Sequence, residues 1–337
     1  MIPRLEHFEL VVERFDSPAL RGNPAGDPSE RDVPVLLPRR RASARLARHP
    51  AVYALAGFAG SGRSFLNWHG WTPSFPERID RLRAQGKIGD LVFVFPDGFT
   101  RYGGSQYIDS EGTGRYGEML AKDLVAWADS RFPTLAAARY RGIVGKSSGG
   151  YGALVAGMTH PDVFSAVACH SGDMYFEYCY KQDFPRLLRL LEKHGGLEGF
   201  LKAFFGAPKK TTDMVLAMNI VAMAAVYSPD PSAPGGVALP FDPGTGEIRP
   251  EVWARWLERD PVVLCERCAE SLRRLRLLYL DCGKADQFHL QYGLRILSKK
   301  LRDLGVEHVA EEFDDDHSET SYRYEVSLPR VWEAVRE

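Results

Sequence analysis

A serine framed by glycines is the first pattern in this chain that could carry chemistry. Residues 145–149, Gly-Lys-Ser-Ser-Gly, match G-x-S-x-G. On a sharp turn between a strand and a helix, such a serine stands above a sheet in a strained conformation that small neighbours allow. The apolar residues 142–144 predict the strand, and residues 151–158 predict the helix. The context favours Ser147 as the nucleophile of an acyl transfer, with the adjacent Ser148 as the competing candidate.

A serine nucleophile needs a base, and an acid that orients the base. In this strand-turn-helix setting they follow the serine in the order Asp or Glu, then His, on loops after sheet strands. Of nine histidines, His317 alone lies both downstream of an acid and just past a predicted strand, residues 308–313. Two aspartates after the apolar run 275–280 compete as the acid. We favour Asp286, which can fold over towards the next loop, and keep Asp281 as the alternative, with a turn cap as its plainer role.

The negative charge of an acyl-transfer intermediate requires backbone donors as well. One donor is the amide after the nucleophile, here that of Ser148, and the other comes from the loop after an early strand. The segment Gly-Phe-Ala-Gly, residues 57–60, follows the apolar run 51–56 and takes this place. We therefore expect the amides of Phe58 and Ser148 to form the oxyanion hole.

Four further residues are weaker candidates for substrate contact. Gly57 belongs to the predicted oxyanion loop, Trp68 follows that loop and could form a pocket rim, and Asp97 follows another apolar run. Met218 lies in a predicted helix, residues 214–226, that is apolar nearly all round, and methionine adapts to varied ligands. Each has a plainer interpretation: packing for Trp68 and Met218, and a turn cap for Asp97.

Buried strands alternate with helices along most of the chain. Strands are predicted at 51–56, 91–95, 143–144, 275–280 and 308–313, and helices at 116–131, 151–159 and 287–304. This alternation predicts an α/β-hydrolase fold with a mostly parallel, doubly wound sheet. No strand is evident between residues 173 and 264. We therefore expect a core of residues 1–172 and 265–337, interrupted by a mainly helical insertion, 173–264, that caps the site.

Composition limits the classes of binding partner and the cellular compartment that we expect. A net charge of -1 over 337 residues gives no bulk field that would attract nucleic acid or an anionic membrane. No run of about 18 apolar residues suggests a membrane span, and charges within residues 1–10 do not fit a secretory signal. Five cysteines, an odd number, fit free thiols in a reducing compartment. We expect a cytoplasmic protein without cofactor or metal, acting on a small-molecule ester, for which a homo-oligomer is compatible with the sequence.

Several segments together resemble a known family. GFAGSG, VFPDG, GKSSGGYGAL, DCGKADQF and the late pair His317-Ser318 resemble the esterase branch of the α/β-hydrolases. That branch includes esterase D (S-formylglutathione hydrolase), enterochelin esterase-like proteins, feruloyl esterases and mycolyltransferases. The resemblance extends from about residue 20 to about residue 335, except the insertion. The GKADQF segment is similar to the acid loop of esterase D, which supports Asp286 over Asp281.

The resemblance implies hydrolysis of a carboxylic ester through an acyl-serine intermediate. Acyl transfer to another alcohol and thioester hydrolysis are alternatives on the same fold, and a binding protein without turnover is an alternative of another class. Many relatives carry His-Gly where this chain has Ala56-Gly57, and other residues where it has Lys146 and Ser148. These departures leave the mechanism intact but leave the substrate open.

Overall fold

The described part of the chain contains ten strands in two sheets. The computed structural model describes residues 5–39, 47–67 and 70–336. In chain order the strands are β1 (Phe8–Asp16), β2 (Glu30–Pro38), β3 (Ala51–Leu55), β4 (Val92–Val94), β5 (Asp109–Ser110), β6 (Gly114–Arg115), β7 (Arg141–Lys146), β8 (Ala166–His170), β9 (Leu277–Gly283) and β10 (Val309–Phe313). Eight of them form the main sheet in the order β1-β2-β4-β3-β7-β8-β9-β10, and β5 pairs with β6 alone.

The main sheet is parallel from β4 to β10 and antiparallel only at β1 and β2. Its register places Gly145 of β7 opposite both Leu55 of β3 and Cys169 of β8, and His170 of β8 opposite Asp281 of β9. The carboxyl ends of these strands therefore lie along one edge, where ligands of such sheets bind. The predicted fold class is confirmed.

Helices lie between and after the strands. They are α1 (Phe75–Ala84), α2 (Tyr116–Glu118), α3 (Val125–Arg131), α4 (Ser148–Thr159), α5 (Phe176–Cys179), α6 (Phe184–His194), α7 (Leu197–Gly206), α8 (Thr212–Tyr227), α9 (Pro250–Leu257), α10 (Pro261–Arg267), α11 (Ala269–Arg273), α12 (Leu290–Asp303) and α13 (Tyr324–Val335). A π-helical segment, Met119–Leu124, joins α2 to α3. Within the described ranges no helix has the length and apolar character to cross a bilayer.

Helices cover both faces of the sheet. On one face, α1 and α13 pack against it through residues such as Ile79 and Leu328, which are fully buried. On the other face, α3, α4 and α12 pack through residues such as Leu154 and Leu297. This sandwich of two helix layers is what a doubly wound sheet requires to bury its apolar strands on both sides.

The expected insertion is helical, and its helices belong to the larger of the two apolar clusters. Phe176, Leu187 and Val221 from this region are buried in the same cluster as Leu154 of α4. The helices between β8 and β9 continue to Arg273, beyond the expected boundary at residue 264. The insertion thus extends one core over the α4 face of the sheet.

Candidate active site

Ser147 occupies a strained turn between β7 and α4. Its φ of 58° and ψ of -128° lie in a region that L-residues other than glycine rarely adopt, at a cost of about 1–3 kcal/mol. Two backbone hydrogen bonds hold the turn: the Ser147 amide donates to the carbonyl of His170 at 3.0 Å, and the Tyr151 amide donates to the Ser147 carbonyl at 2.9 Å. This geometry is the one that the G-x-S-x-G pattern predicts.

The two glycines of the pattern are needed for space. A Cβ atom on Gly145 would lie 2.1 Å from the carbonyl oxygen of Gly149, and one on Gly149 would lie 2.2 Å from that of Leu55. Both distances are far shorter than a van der Waals contact, and the opposing atoms are backbone atoms that cannot move aside. Larger residues would therefore push the start of α4 away from β3 and β7.

His317 and Asp286 form a hydrogen-bonded pair. His317 Nδ1 lies 2.7 Å from Asp286 Oδ2. Because an ionised carboxylate only accepts, Nδ1 carries the proton of the neutral ring and Nε2 keeps its lone pair. Asp286 is buried, and its Oδ1 accepts a hydrogen bond from the Phe288 amide at 2.9 Å. The His317 ring also packs edge-on against the Phe288 ring at 4.8 Å, which fixes its orientation.

The loops that carry this pair lie near the end of β7. The carboxylates of Asp286 and Glu319 act on the Lys146 amine, where they oppose the burial that lowers its pKa. A Cβ on Gly283 would lie 2.5 Å from the Asp315 carbonyl oxygen, so the end of β9 touches the turn before His317. No described residue, Ser147 included, hydrogen-bonds His317 Nε2. Such bonds are often long in free enzymes and shorten when substrate binds.

The loop after β3 lies beside Ser147. A Cβ on Gly57 would lie 3.4 Å from the Cβ of Ser147. The loop is held in place by a bond from the Ala59 amide to the Gly103 carbonyl at 2.7 Å, and by one from the Tyr107 hydroxyl to the Ala56 carbonyl at 3.0 Å. Within the part of the chain that is described, the amides of Phe58 and Ser148 donate to no acceptor. A role of these two amides as oxyanion donors stays a prediction.

The weaker candidates have mixed surroundings. Asp97 accepts a hydrogen bond from the Phe99 amide at 2.9 Å and lies 3.7 Å from the Arg31 guanidinium, which fits a turn cap. Met218 is 2% exposed and belongs to the large apolar cluster. Trp68 lies outside the described residues. Substrate contact by Asp97, Met218 and Trp68 stays a prediction.

Asp281, the alternative acid, is hydrogen-bonded to a different histidine. His170 Nδ1 lies 2.7 Å from Asp281 Oδ1, and His170 Nε2 lies 2.8 Å from the Ser327 hydroxyl. Arg323 Nε donates to Asp281 Oδ2 at 2.9 Å. Burial alone would raise the pKa of Asp281, but His170 and Arg323 together bring it below its ordinary value. We call His170, Asp281 and Ser327 the buried histidine network, since each is at most 3% exposed.

An acidic residue beside the Ser147 turn was not among the residues that the sequence patterns predict. Asp173 lies just after β8, and its carboxylate is bonded by Gln106 Nε2 and by the Tyr180 hydroxyl, both at 2.9 Å. The Ser148 hydroxyl lies 3.5 Å from the same oxygen. A signal was present, because Asp173 follows a parallel strand as Asp286 does. It was overlooked because β8, Ala-Val-Ala-Cys-His, was not located.

Comparison with solved structures identifies the fold. A ferulic acid esterase is 17% identical, with a TM-score of 0.62, and the match covers 97% of this chain and 99% of that one. Serine hydrolase F of Staphylococcus aureus, which binds fluorophosphonates, is 14% identical over 98% of this chain and 100% of that one, with a TM-score of 0.61. An S-formylglutathione hydrolase from Agrobacterium tumefaciens is 17% identical over 97% and 95%, with a TM-score of 0.58. These likenesses show the α/β-hydrolase fold.

The family follows from the sequence itself. The model of the family described as "Putative esterase" matches residues 28–330. The chain belongs to this family, and the protein is an esterase, a hydrolase of carboxylic esters. No curated protein sequence matches the chain.

Proposed function

We propose that this esterase works through an acyl-serine intermediate, with Ser147, His317 and Asp286 as its triad. Ser147 Oγ attacks the ester carbonyl carbon while its proton passes to His317 Nε2. The tetrahedral intermediate collapses, the bond to the alcohol oxygen breaks, and the alcohol leaves with the proton from His317. Water then attacks the acyl-serine in the same way, the acid departs, and Ser147 regains its proton.

The backbone and the acid have supporting roles in these steps. The amides of Phe58 and Ser148 donate to the oxygen that becomes negative in each tetrahedral intermediate. Fixed donors of this kind contribute about 10²–10³ in rate per hydrogen bond. Asp286 keeps the imidazole in one tautomer and stabilises the imidazolium that forms when the ring takes the proton.

One observation supports this proposal: His317 and Asp286 are hydrogen-bonded at 2.7 Å, and the Asp286 carboxylate acts on Lys146, the residue before a serine held at positive φ. The strained turn exposes the Ser147 hydroxyl, and the pair supplies a base with a free nitrogen. The neighbouring amides, which donate to no described acceptor, complete the set that acyl transfer requires.

Covalent labelling tests the proposal. A fluorophosphonate should react with the wild-type protein, and peptide mass mapping should locate the label on Ser147. Ser147→Ala should abolish both labelling and hydrolysis of p-nitrophenyl acetate. Ser148→Ala, the matched control on the next residue, should retain labelling because its backbone amide is unchanged. A label on Ser148, or active Ser147→Ala enzyme, would move the nucleophile and overturn the assignment.

A further inference from the structure

The carboxylate of Asp173 is held by neutral groups in a buried place. Gln106 Nε2, the Tyr180 hydroxyl and the Ser148 hydroxyl all approach Oδ2, at 2.9, 2.9 and 3.5 Å. Gln106 also donates to the Tyr227 hydroxyl at 3.1 Å. These residues, 106, 148, 173, 180 and 227, are called the Asp173 cluster below. Burial raises the pKa of Asp173, and the bonds from Gln106 and Tyr180 oppose that rise only in part.

A buried carboxylate destabilises the folded protein unless it has enough hydrogen-bond donors. A buried carboxylate loses the hydrogen bonds of water, and neutral donors on one oxygen replace only some of them. Oδ1 accepts no hydrogen bond from any residue in the described ranges. Asp173 keeps 8% of its surface accessible, more than the other members of the cluster, of which Tyr227 keeps 5%, Ser148 4%, Tyr180 2% and Gln106 none. Asp173 is therefore the residue of the cluster that a bound molecule could reach most readily.

The Asp173 cluster borders the proposed reaction centre. Ser148 is the neighbour of the nucleophile and supplies one of the two proposed oxyanion donors. The charges of His317 and Asp286 both act on the pKa of the Asp173 carboxyl, which places it within electrostatic reach of the proposed base and acid. A substrate bound at Ser147 would lie close to Asp173.

The backbone is strained where it forms this cluster. Gln106 and Tyr107 are consecutive residues at φ of 54° and 55°, and Ser171 lies at 41° just before Asp173. None is glycine, so each costs free energy that its surroundings must supply. Residue 106 is the one whose side-chain amide donates to Asp173, and residue 171 lies two positions before the Asp173 carboxylate that Ser148 approaches.

We propose that Asp173 determines specificity by accepting a hydrogen bond from a hydroxyl group that the ester substrate carries near its scissile carbonyl. This inference rests on the proposed function, because it assumes that the ester binds at Ser147. A hydroxyl would supply Oδ1 with a donor without bringing a second charge into a buried place. A site built in this way rejects an analogue that lacks the hydroxyl, because a buried acceptor is then left without a partner.

Two matched pairs of esters test the inference on both sides of the ester bond. On the acyl side, 4-nitrophenyl 3-hydroxybutyrate is compared with 4-nitrophenyl 3-methylbutyrate. On the alcohol side, 2-hydroxyethyl butyrate is compared with propyl butyrate. In each pair a hydroxyl replaces a methyl group. The wild-type enzyme should favour the hydroxyl compound in at least one pair by about tenfold or more in kcat/KM, as one hydrogen bond to a charged group provides.

Three variants separate recognition from folding. Asp173→Asn should remove most of that preference, measured as the ratio of kcat/KM for the hydroxyl compound to kcat/KM for the methyl compound. Tyr180→Phe, which keeps the ring and removes one donor to Asp173, should reduce the preference and provides a second test if Asp173→Asn folds poorly. Asp183→Asn, at a buried aspartate paired with Arg186, is the matched control and should retain the wild-type preference.

The outcomes distinguish a failure of the role of Asp173 from a failure of the proposed function. A wild-type enzyme that labels at Ser147 but shows no preference in either pair would overturn the role of Asp173 alone. An unchanged preference in Asp173→Asn would do the same. If Ser147 is not labelled and none of the four esters is hydrolysed, the proposed function itself fails, and the inference fails with it.

Discussion

Asp281 lies in β9 and Asp286 lies on the loop that follows it. The two aspartates are hydrogen-bonded to different histidines. The sequence favoured Asp286 because it lies beyond the strand, and the structure places it against His317 at 2.7 Å. The partner of Asp281 could not be predicted. The apolar run ends at residue 280, but β9 continues to Gly283, so Asp281 lies within the strand and bonds to His170 and Arg323.

Substitutions of the two aspartates should therefore have different effects. Asp286→Asn should lower kcat for p-nitrophenyl acetate by about 10⁴, because the amide no longer holds the productive tautomer of the base, with little change in stability. Asp281→Asn should lower the free energy of unfolding by about 3 kcal/mol, because Arg323 and His170 lose a buried charged partner. Steady-state kinetics and urea unfolding of both variants measure this contrast. Full stability with lost turnover in Asp281→Asn would contradict the assignment.

At the level of the elements, sequence patterns located the strands better than the helices. Val-Phe-Val and its neighbours are continuously apolar, and buried parallel strands must be. Helix α1 was missed although Ser74 and Glu77 form a capping box at its start. Helix α13 contains Pro329, which interrupts the expected pattern. The π-helical turn at Met119–Leu124 depends on a shift of backbone hydrogen bonds that no side-chain pattern records.

Asp260 links two helices and should make their stability depend on pH. Its carboxylate accepts from the amides of Tyr175, Phe176 and Val262 at 3.0, 2.7 and 2.9 Å, and burial raises its pKa to about 6. An unfolded chain releases this proton near pH 4. Between these values the folded state holds a proton that the unfolded state has lost, so the stabilisation by protonation falls as pH rises and is gone above about pH 6.

Asp260→Asn removes this titration. The stability of the wild type relative to Asp260→Asn should decrease by an amount on the order of 2 kcal/mol between pH 4 and pH 7. Urea unfolding of both proteins across this range measures the difference. Asp230→Asn, at a half-buried loop residue, is the control for general effects of removing a carboxylate. A difference between wild type and Asp260→Asn that stays constant with pH would show that Asp260 does not titrate in this window.

The methionines of helix α8 either pack in the apolar core or contact the substrate, and substitutions distinguish the two roles. Met218 is 2% exposed, so Met218→Ala should lower the free energy of unfolding by about 2–4 kcal/mol through the cavity it leaves. Met214, half-buried in the first turn of the same helix, is the matched control, and Met214→Ala should cost much less. A small stability loss in Met218→Ala, with a changed chain-length preference across p-nitrophenyl esters, would instead place Met218 in the substrate pocket.

The molecule as a whole should unfold in one step, because the insertion and the sheet share an apolar cluster. Trp256 lies in the insertion and Trp332 in α13, on the opposite face. In urea, the fluorescence transitions of Trp256→Phe and Trp332→Phe should each coincide with the far-ultraviolet circular dichroism transition of the same variant. Separate midpoints would mean that residues 173–264 melt independently of the core.

The buried histidine network bears on how active sites are found by geometry. Its serine and histidine are hydrogen-bonded at 2.8 Å, whereas Ser147 and His317 are not hydrogen-bonded to each other. A template of three residue types ranked by interatomic distance would therefore select Ser327, His170 and Asp281 first. Ser327 is fully buried within α13, where no ester could approach it. On the proposed assignment, the copy of a triad with the shorter serine–histidine contact is the inert one, and the backbone conformation at the serine is the better guide to reactivity.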